Sequence, residues 1–334
     1  MMQAAVLGAG SWGTALALLL HNRGVPVRLW SFEPEVADEI NHSGVNPYLP
    51  DIRLPDSFRV ESDLGVALEG ARLIVTVSPA QYMGSVLSDA AAHIAPDAIV
   101  ISASKGIEIS SLSRMDEVHA RYLSDEIMAR FCVLSGPSFA LEVARGVPTA
   151  VVVASRSREA RTTVQEAFST ERFRVYTNPD VTGVELGGAV KNVIALAAGV
   201  AAGLDFGYNT QAALITRGLA EITRLGVALG ADPATFSGLA GMGDLVLTCT
   251  GELSRNRTVG VRLGQGETLE GILDDMRAVA EGVRTTPAVR ALAERHGVEM
   301  PIVSEVDSIL RGERPPADAV QRLMLRDPKP EGWS

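Results

Sequence analysis

Three glycines near the N-terminus have the spacing of a loop that binds a phosphate-containing ligand. Gly8, Gly10 and Gly13 follow a short apolar run directly and open an amphipathic helical pattern that ends at Arg23–Gly24. In this arrangement the first glycine permits a tight turn, the second lets the backbone approach a pyrophosphate, and the third allows the helix to pack on the strand. A purely structural turn is the alternative. The strand before the loop and the helix after it favour a dinucleotide site, with the helix N–H groups facing the anion.

A lysine lies inside the most apolar long segment of the chain. Glu185, Lys191 and Asn192 are the only strongly polar residues between Val184 and Leu204. Burial disfavours the ammonium form of a lysine and lowers its pKa toward the range that is useful for proton transfer. Lys191 is therefore a candidate catalytic acid. The structural alternative is a lysine whose stem covers apolar surface while its charge reaches solvent.

Other candidate ligands follow strand ends and glycine turns. Ser104–Gly106 and Gly136–Ser138 each come just after a predicted strand, where ligands bind in open α/β sheets. Asp244 follows a glycine-rich turn, and the string from Ser254 to Arg257 carries two guanidinium groups, which bind phosphate in a bidentate manner. A solvated loop is the alternative for each of them, and spacing alone does not assemble a complete site.

Two kinds of segment must position these residues. Short strand-like runs alternate with helical patterns in the first half, which indicates βαβ units and a parallel sheet. The predicted strands are Ala4–Leu7, Val25–Trp30, Leu73–Val77, Ile99–Ser102, Phe131–Leu134, Ala150–Val153 and Phe173–Tyr176. After Asn178–Pro179 the pattern becomes helical, with long helices predicted over 184–204 and 211–229. We therefore predict a dinucleotide-binding domain over 1–180, a helical substrate and catalytic domain over 181–325, and a flexible tail over 326–334.

Composition limits the class of protein. A chain of 334 residues with 46% hydrophobic and 21% charged residues is long enough for two globular domains. Its net charge of −10 leaves no basic stripe for nucleic acid. The two cysteines and five scattered histidines lack metal-ligand spacing, so we expect no metal and a reducing compartment. The apolar run 190–204 is shorter than the roughly 20 residues that a bilayer requires, so we expect no membrane span.

Several longer strings of the sequence occur together, and in the same order, in one known family. They are GAGSWGTALA, NPYLP, SKGIE, SGPSFA, VELGGAVKNVIALAAG, GLAGMGDLVLTCTGELSRNRTVG and AEGVRTTPAV. From residue 2 to about residue 325 the chain resembles the bacterial NAD(P)-dependent glycerol-3-phosphate dehydrogenases. The resemblance implies interconversion of dihydroxyacetone phosphate and sn-glycerol 3-phosphate by hydride transfer with NAD(H) or NADP(H), feeding glycerophospholipid synthesis. It also implies an α/β Rossmann-type doubly wound N-terminal domain, an all-α C-terminal domain and a homodimer. Together with the reducing compartment that the cysteines suggest, this leads us to expect a cytoplasmic location.

The resemblance further implies roles for individual residues. Lys191 matches the proton acceptor for alcohol oxidation, and hence the proton donor for ketone reduction. The positions that match substrate contacts are Lys105, Gly136, Ser138, Lys191, Asp244, Ser254, Arg255 and Asn256. The positions that match the cofactor site, with the glycine-rich loop included, are Gly8, Gly10, Ser11, Trp12, Gly13, Lys105, Ala140, Arg255 and Glu281.

The residues after the second predicted strand decide the choice between NAD and NADP. Glu33 stands about 20 residues beyond Gly13, where an acidic residue accepts the ribose 2′-hydroxyl of NAD and repels the 2′-phosphate of NADP. Family members often carry a basic residue in this region, which here reads Trp30–Glu33. Arg28 would favour NADP if its side chain pointed toward the ligand, and Glu33 can instead begin the next helix before Pro34. We predict a cofactor-binding Glu33 and a preference for NAD(H), or at least no strong preference for NADP(H).

Two other functions stay open on the sequence alone. A β-hydroxyacid dehydrogenase of the 6-phosphogluconate type shares the two-domain plan and a catalytic lysine followed by asparagine. The GMGDL and SRN strings argue against it. A protein that senses NAD(H) without turnover has no need of a proton donor, so Lys191 and Asp244 argue for chemistry.

Overall fold

The chain divides into two compact units. The computed structural model describes residues 2–276, 280–328 and 331. The first unit holds the chain up to Lys105 together with Ser113–Val184, and the second holds Gly106–Leu112 and the chain from Glu185 onward. The predicted tail over 326–334 lies partly outside the described residues, so its flexibility stays a prediction.

The first unit is an α/β structure built on one eight-stranded sheet. Its strands are β1 (Gln3–Leu7), β2 (Val27–Trp30), β3 (Val45–Asn46), β4 (Leu49–Arg53), β5 (Val60–Glu61), β6 (Ala71–Thr76), β7 (Ile99–Ser102), β8 (Cys132–Ser135), β9 (Thr149–Ala154) and β10 (Phe173–Asn178). Its helices are α1 (Ser11–Asn22), α2 (Pro34–Ser43), α3 (Leu64–Leu68), α4 (Met83–Ala90), α5 (Met115–Ala120), α6 (Asp125–Met128), α7 (Ala140–Ala144) and α8 (Arg158–Phe168). The sheet order is β10-β9-β8-β7-β6-β1-β2-β5, and β3 and β4 form a separate hairpin.

All seven predicted strands are present, with ends shifted by at most one or two residues, but the prediction of a parallel sheet is wrong at one edge. β8 and β9 pair antiparallel, while β10 is parallel to β9. A parallel return needs a crossover that usually contains a full helix. The connection from Ser135 to Thr149 contains only the short α7, so the chain reverses direction. The strands β3, β4 and β5 were not predicted; β3 and β5 have only two residues each, and β4 pairs only with β3.

The sheet places the glycine-rich loop at the carboxyl end of the interior strand β1, which lies between β2 and β6. Gly8 has a φ of 131°, and a Cβ at this residue would lie 3.1 Å from the carbonyl carbon of Val77. A Cβ on Gly13 would lie 1.9 Å from the carbonyl oxygen of Gly8, whereas a Cβ on Gly10 would meet nothing within 4 Å. The backbone conformation at Gly8 and the packing at Gly13 thus require glycine, and Gly10 leaves backbone open to a ligand.

The second unit is helical in its described residues, as the sequence predicts. Its helices are α9 (Val181–Gly203), α10 (Tyr208–Ala228), α11 (Asp244–Thr250), α12 (Arg255–Gly264), α13 (Leu269–Asp274), α14 (Glu281–Arg295), α15 (Pro301–Leu310) and α16 (Pro316–Met324). By length and composition alone α9 could cross a membrane, but 89% of its most apolar stretch is buried inside the structure. It is the core helix around which the others pack.

Glycines at the crossing of α9 and α12 let the two backbones touch. A Cβ on Gly199 would lie 2.2 Å from the carbonyl oxygen of Arg257 and 2.9 Å from the Cα of Gly260. Gly203 and Gly264 repeat this arrangement one turn later. The close approach explains why α9 keeps glycines in its interior, where each costs about 1 kcal/mol relative to alanine.

We expect Gly199→Ala to lower the free energy of unfolding by about 2 kcal/mol, because the added methyl group overlaps a backbone oxygen. Helix propensity alone predicts the opposite sign, a gain of about 1 kcal/mol. Gly207→Ala is the matched control, since a Cβ there meets nothing within 4 Å. Urea denaturation of both variants measures the difference. A Gly199→Ala variant as stable as the wild type would contradict the close crossing.

A fully buried histidine makes the first unit sensitive to acid. The tautomer that satisfies both ring nitrogens of His119 donates from Nδ1 to the carbonyl oxygen of Met115 at 2.7 Å and accepts at Nε2 from the Thr76 hydroxyl at 3.0 Å. Burial lowers the pKa of His119 to about 4, against the opposing effects of the Met115 carbonyl and the Asp116 charge. The folded protein therefore holds this imidazole neutral over a pH range in which the unfolded chain protonates it.

This lowered pKa predicts how stability depends on pH. Between pH 6.5 and 4 the unfolded chain binds the extra proton and the folded chain does not, so the free energy of unfolding falls by about 3 kcal/mol through this residue as the pH falls. His119→Gln removes the titrating group, and its stability should fall less over the same range. Denaturation of both proteins at a series of pH values tests this, and equal slopes would refute it.

Candidate active site

The first turn of α1 offers unused donors beside the glycine-rich loop. Ser11 begins α1, and no side chain caps the helix N-terminus. The indole N–H of Trp12 is buried and has no hydrogen-bond partner within the described part of the protein. A buried donor without a partner is costly. Together with the open backbone at Gly10, these groups fit a ligand that carries phosphate and hydroxyl oxygens, as a nicotinamide dinucleotide does.

The turn after β2 holds a carboxylate, and the basic residue of β2 is bound elsewhere. Glu33 is the residue before α2, and its Oε1 accepts a hydrogen bond from the hydroxyl of Tyr48 at 2.8 Å. Arg28 donates to the carbonyl oxygen of Val66 and lies 3.4 Å from the carboxylate of Glu69. The sequence left open that Arg28 points toward the 2′-phosphate of NADP. In the structure its guanidinium group instead binds Val66 and Glu69.

Three predicted substrate residues of the first unit meet at one backbone carbonyl. The ammonium group of Lys105 donates to the carbonyl oxygen of Gly136 at 3.2 Å, and the hydroxyl of Ser138 donates to the same oxygen at 3.0 Å. Gly136 has a φ of 131°, and a Cβ there would lie 3.0 Å from the Cα of Val151. Ala140 begins α7 a few residues further on. The structure thus brings together the loops after β7 and β8.

The second unit buries a lysine with a carboxylate. Lys191 is 6% exposed, and its Nζ donates to Oδ1 of Asp244 at 2.5 Å and to the hydroxyl of Thr248 at 2.7 Å. That hydroxyl donates in turn to the carbonyl oxygen of Asp244 at 2.6 Å. Because the side chain is buried and the Asp244 and Thr248 side chains bind its amine, the surface-lysine alternative is wrong. The neighbouring carboxylate favours the charged ammonium form. It therefore opposes the loss of the proton that burial alone would favour.

A close backbone contact brings Asp244 to Lys191. The residues before α11 form a π-helical turn, Leu239–Gly243, a geometry that often marks functional sites. Gly187 lies one turn before Lys191 in α9, and a Cβ there would be 2.4 Å from the carbonyl oxygen of Ala240 in this turn. Only a glycine lets the turn lie this close to α9.

A second polar network joins α9, α12 and α14. Asn256 donates from Nδ2 to Oδ1 of Asn192 at 3.0 Å and accepts at its own Oδ1 from the backbone N–H of Gly282 at 2.9 Å. Ser254 caps α12 by accepting from the N–H of Arg257 at 3.3 Å. Asn192 and Asn256 are both buried. The network fixes the start of α12, and with it the backbone of Arg255, which lies between Ser254 and Asn256.

That residue, Arg255, is exposed and lies near a carboxyl group. Although the side chain keeps exposed surface, enough protein surrounds its guanidinium group for desolvation to lower the pKa of Arg255 from its ordinary value, and the negative charge of Glu281 opposes this shift. Glu281 keeps some exposed surface, yet enough protein surrounds its carboxyl group for desolvation to raise its pKa to about 7, against the charges of Arg255 and Arg284. An exposed guanidinium at the start of a helix is well placed to bind an anion.

Sequence reasoning missed Thr248 and gave Asn192 no role. Thr248 stands four residues after Asp244, which places both on one face of a helix, and this spacing was the available signal. Asn192 follows Lys191 directly, but its partner Asn256 is distant in sequence. Within the described residues, His, Cys, Asp and Glu side chains nowhere form a group of three that could hold a metal ion.

A Rossmann-type unit with an open glycine-rich loop, followed by a helical unit that buries a proton-bearing lysine, is the construction of a dinucleotide-dependent dehydrogenase. Two family models match the chain: NAD-dependent glycerol-3-phosphate dehydrogenase N-terminus over residues 3–161 and the corresponding C-terminus over residues 180–321. The chain therefore belongs to the family of NAD-dependent glycerol-3-phosphate dehydrogenases.

Individual relatives agree with this family over their full length. The chain is 55% identical to the NAD(P)+ glycerol-3-phosphate dehydrogenase of Geobacter metallireducens, over 98% of both sequences. It is also 55% identical to that of Trichlorobacter lovleyi, over 99% of both. The crystal structure of glycerol-3-phosphate dehydrogenase from Coxiella burnetii superimposes with a TM-score of 0.93 at 42% identity, covering 97% of this chain and 99% of that one.

Proposed function

We propose that this enzyme interconverts dihydroxyacetone phosphate and sn-glycerol 3-phosphate, with Lys191 as the proton donor in ketone reduction. The observation that carries the proposal is the buried Lys191 ammonium, held by Asp244 and Thr248 at 2.5 and 2.7 Å. A ketone gains a hydride at carbon and a proton at oxygen when it is reduced. When bound, the reduced nicotinamide supplies the hydride.

The residues of the chain supply the proton and hold its donor in place. Lys191 protonates the carbonyl oxygen as negative charge develops there. Asp244 keeps the amine in its proton-bearing form, and the Thr248 hydroxyl accepts one N–H and so fixes the direction of the others. In the oxidation of the alcohol the same amine, once neutral, accepts the proton.

We propose that cationic side chains recognise the phosphate group of the substrate. Lys105 and Arg255 are the candidates. Arg255 is exposed at the start of α12, where the hydrogen bonds of Ser254 and Asn256 hold the backbone in place. Gly136, Ser138, Ser254 and Asn256 are proposed as further substrate contacts. Such local positive groups in a protein of net charge −10 are what a dianionic substrate requires.

We also propose the remaining cofactor and cellular assignments. Gly8, Gly10, Ser11, Trp12, Gly13, Glu33, Ala140 and Glu281 would hold the dinucleotide, with Lys105 and Arg255 near it. We propose a domain boundary at 180/181, a homodimer, a cytoplasmic location and a role in supplying glycerophospholipid synthesis. Neither the 6-phosphogluconate-type alternative nor the non-catalytic sensor is favoured by the family matches.

A substrate panel tests the proposed reaction. We expect purified enzyme to oxidise NADH with dihydroxyacetone phosphate, to turn over dihydroxyacetone far more slowly because it lacks the phosphate, and not to use 6-phosphogluconate with NAD+. The product should be the sn-3 stereoisomer in a chiral assay. Binding of NADH without turnover of dihydroxyacetone phosphate would reject the proposal in favour of a sensor.

A further inference from the structure

The hairpin that follows α2 is tied to the glycine-rich loop by one buried asparagine. Asn46, at the end of β3, is fully buried, and its Nδ2 donates to the carbonyl oxygen of Ala9 at 2.8 Å and to the hydroxyl of Thr14 at 2.7 Å. Its Oδ1 accepts the backbone N–H of Tyr48 at 2.8 Å. The position of Tyr48 is therefore fixed relative to the loop that the first unit offers to a dinucleotide.

Tyr48 in turn fixes the carboxylate that follows β2. Its hydroxyl donates to Oε1 of Glu33 at 2.8 Å. The hydrogen bond to Glu33 raises the pKa of Tyr48 above its ordinary value, and burial and the Glu33 charge add to this effect. The phenol thus remains a donor at neutral pH. With one carboxylate oxygen engaged by Tyr48, the other can accept a ribose hydroxyl.

The surroundings of Glu33 offer little to a phosphate group. The segment from Ser31 to Glu35 contains two glutamates and no basic residue. Pro34 is the first residue of α2 and has no N–H, so it removes one of the donors that a helix start otherwise presents to an anion. The basic residue of β2, Arg28, is engaged by Val66 and Glu69.

From these contacts we propose that Tyr48, held by Asn46, is a positioning residue for cofactor specificity. It holds Glu33 where the carboxylate accepts the ribose 2′-hydroxyl of NAD(H) and repels the 2′-phosphate of NADP(H). The inference rests on one part of the proposed function, namely that the first unit binds a nicotinamide dinucleotide. An enzyme with this arrangement is selective for NAD(H).

Equilibrium binding tests the inference without any turnover. We would titrate the enzyme with NADH and with NADPH, in the absence of substrate, and follow cofactor fluorescence. The wild type should bind NADH at least about tenfold more tightly, which corresponds to about 1.4 kcal/mol. Tyr48→Phe should reduce the ratio of the two Kd values by about threefold to tenfold, mainly by weakening NADH. Tyr122→Phe, an exposed tyrosine of the same unit, is the matched control and should keep the ratio.

A second pair of variants separates positioning from a general structural role. Glu33→Gln should reduce the ratio by about tenfold, and Tyr48→Phe added to it should change the ratio little further, because the phenol acts through the carboxylate. If Tyr48→Phe weakens NADH and NADPH by the same factor, or if the wild type prefers NADPH, the inference is wrong. Failure to reduce dihydroxyacetone phosphate would reject the proposed function and leave these Kd ratios unaffected.

Discussion

Replacement of Lys191 by methionine is expected to lower kcat for dihydroxyacetone phosphate reduction by about 100-fold or more. General acid catalysis contributes roughly that factor, and methionine keeps the length of the side chain while removing every N–H. The dinucleotide loop belongs to the first unit, whereas Lys191 lies in the core helix of the second. The variant should therefore still bind NADH.

Loss of fold must be separated from loss of chemistry in this experiment. Lys191→Met leaves Asp244, which is 1% exposed, as a buried charge without its ammonium partner, and breaking such a pair costs about 3–5 kcal/mol. The double variant Lys191→Met/Asp244→Asn removes both charges and should regain most of the lost stability. We expect it to stay as inactive as the single variant. Recovery of activity together with stability would show that Lys191 acts through folding alone.

Replacement of Arg255 by alanine is expected to raise KM for dihydroxyacetone phosphate by about tenfold to 100-fold. A charge-assisted contact to phosphate is lost from both the ground state and the transition state, so kcat/KM falls much more than kcat. Because Arg255 is exposed, the substitution leaves no cavity in the core and should change the melting temperature little.

The same helix offers a matched control for this prediction. Arg262 lies in α12 with Arg255 but pairs with the carboxylates of Glu267 and Asp275 at 2.5 and 2.7 Å. Arg262→Ala changes the net charge equally and should leave KM near the wild-type value. Steady-state kinetics with dihydroxyacetone phosphate as the varied substrate distinguishes the two variants. Equal KM values for the wild type and Arg255→Ala would remove Arg255 from the phosphate site.

The sequence predicts the fold best where all the residues that determine a structure lie in one short segment. The strand, glycine-rich loop and helix around Gly8–Gly13 form a local unit, so their fold could be predicted without knowledge of the rest of the chain. The long apolar segment around Lys191 likewise indicated a helix, and Lys191 stood out as one of its few polar residues. Spacing alone left the role of Lys191 open, and the family resemblance supplied it.

What the sequence left open depends on contacts between distant segments. The direction of Arg28 is decided by Val66 and Glu69, which no pattern within β2 reveals. Thr248 meets Lys191 because Gly187 lets the turn at 239–243 approach α9. The reversal between β8 and β9 follows from a short connection that carries no strong periodicity. In each case a tertiary contact, and not a local propensity, determines the outcome.

The proton-donor role of Lys191 is tested most directly by chemical rescue. Lys191→Ala opens a space beside Asp244 and Thr248 that a small primary amine can fill. We predict that added ethylammonium restores kcat for dihydroxyacetone phosphate reduction in a saturable manner, whereas ethanol, of similar size but unable to act as an ammonium acid, does not. A Lys191→Ala enzyme that turns over at the wild-type rate without amine, or that ethanol rescues equally well, would contradict the account.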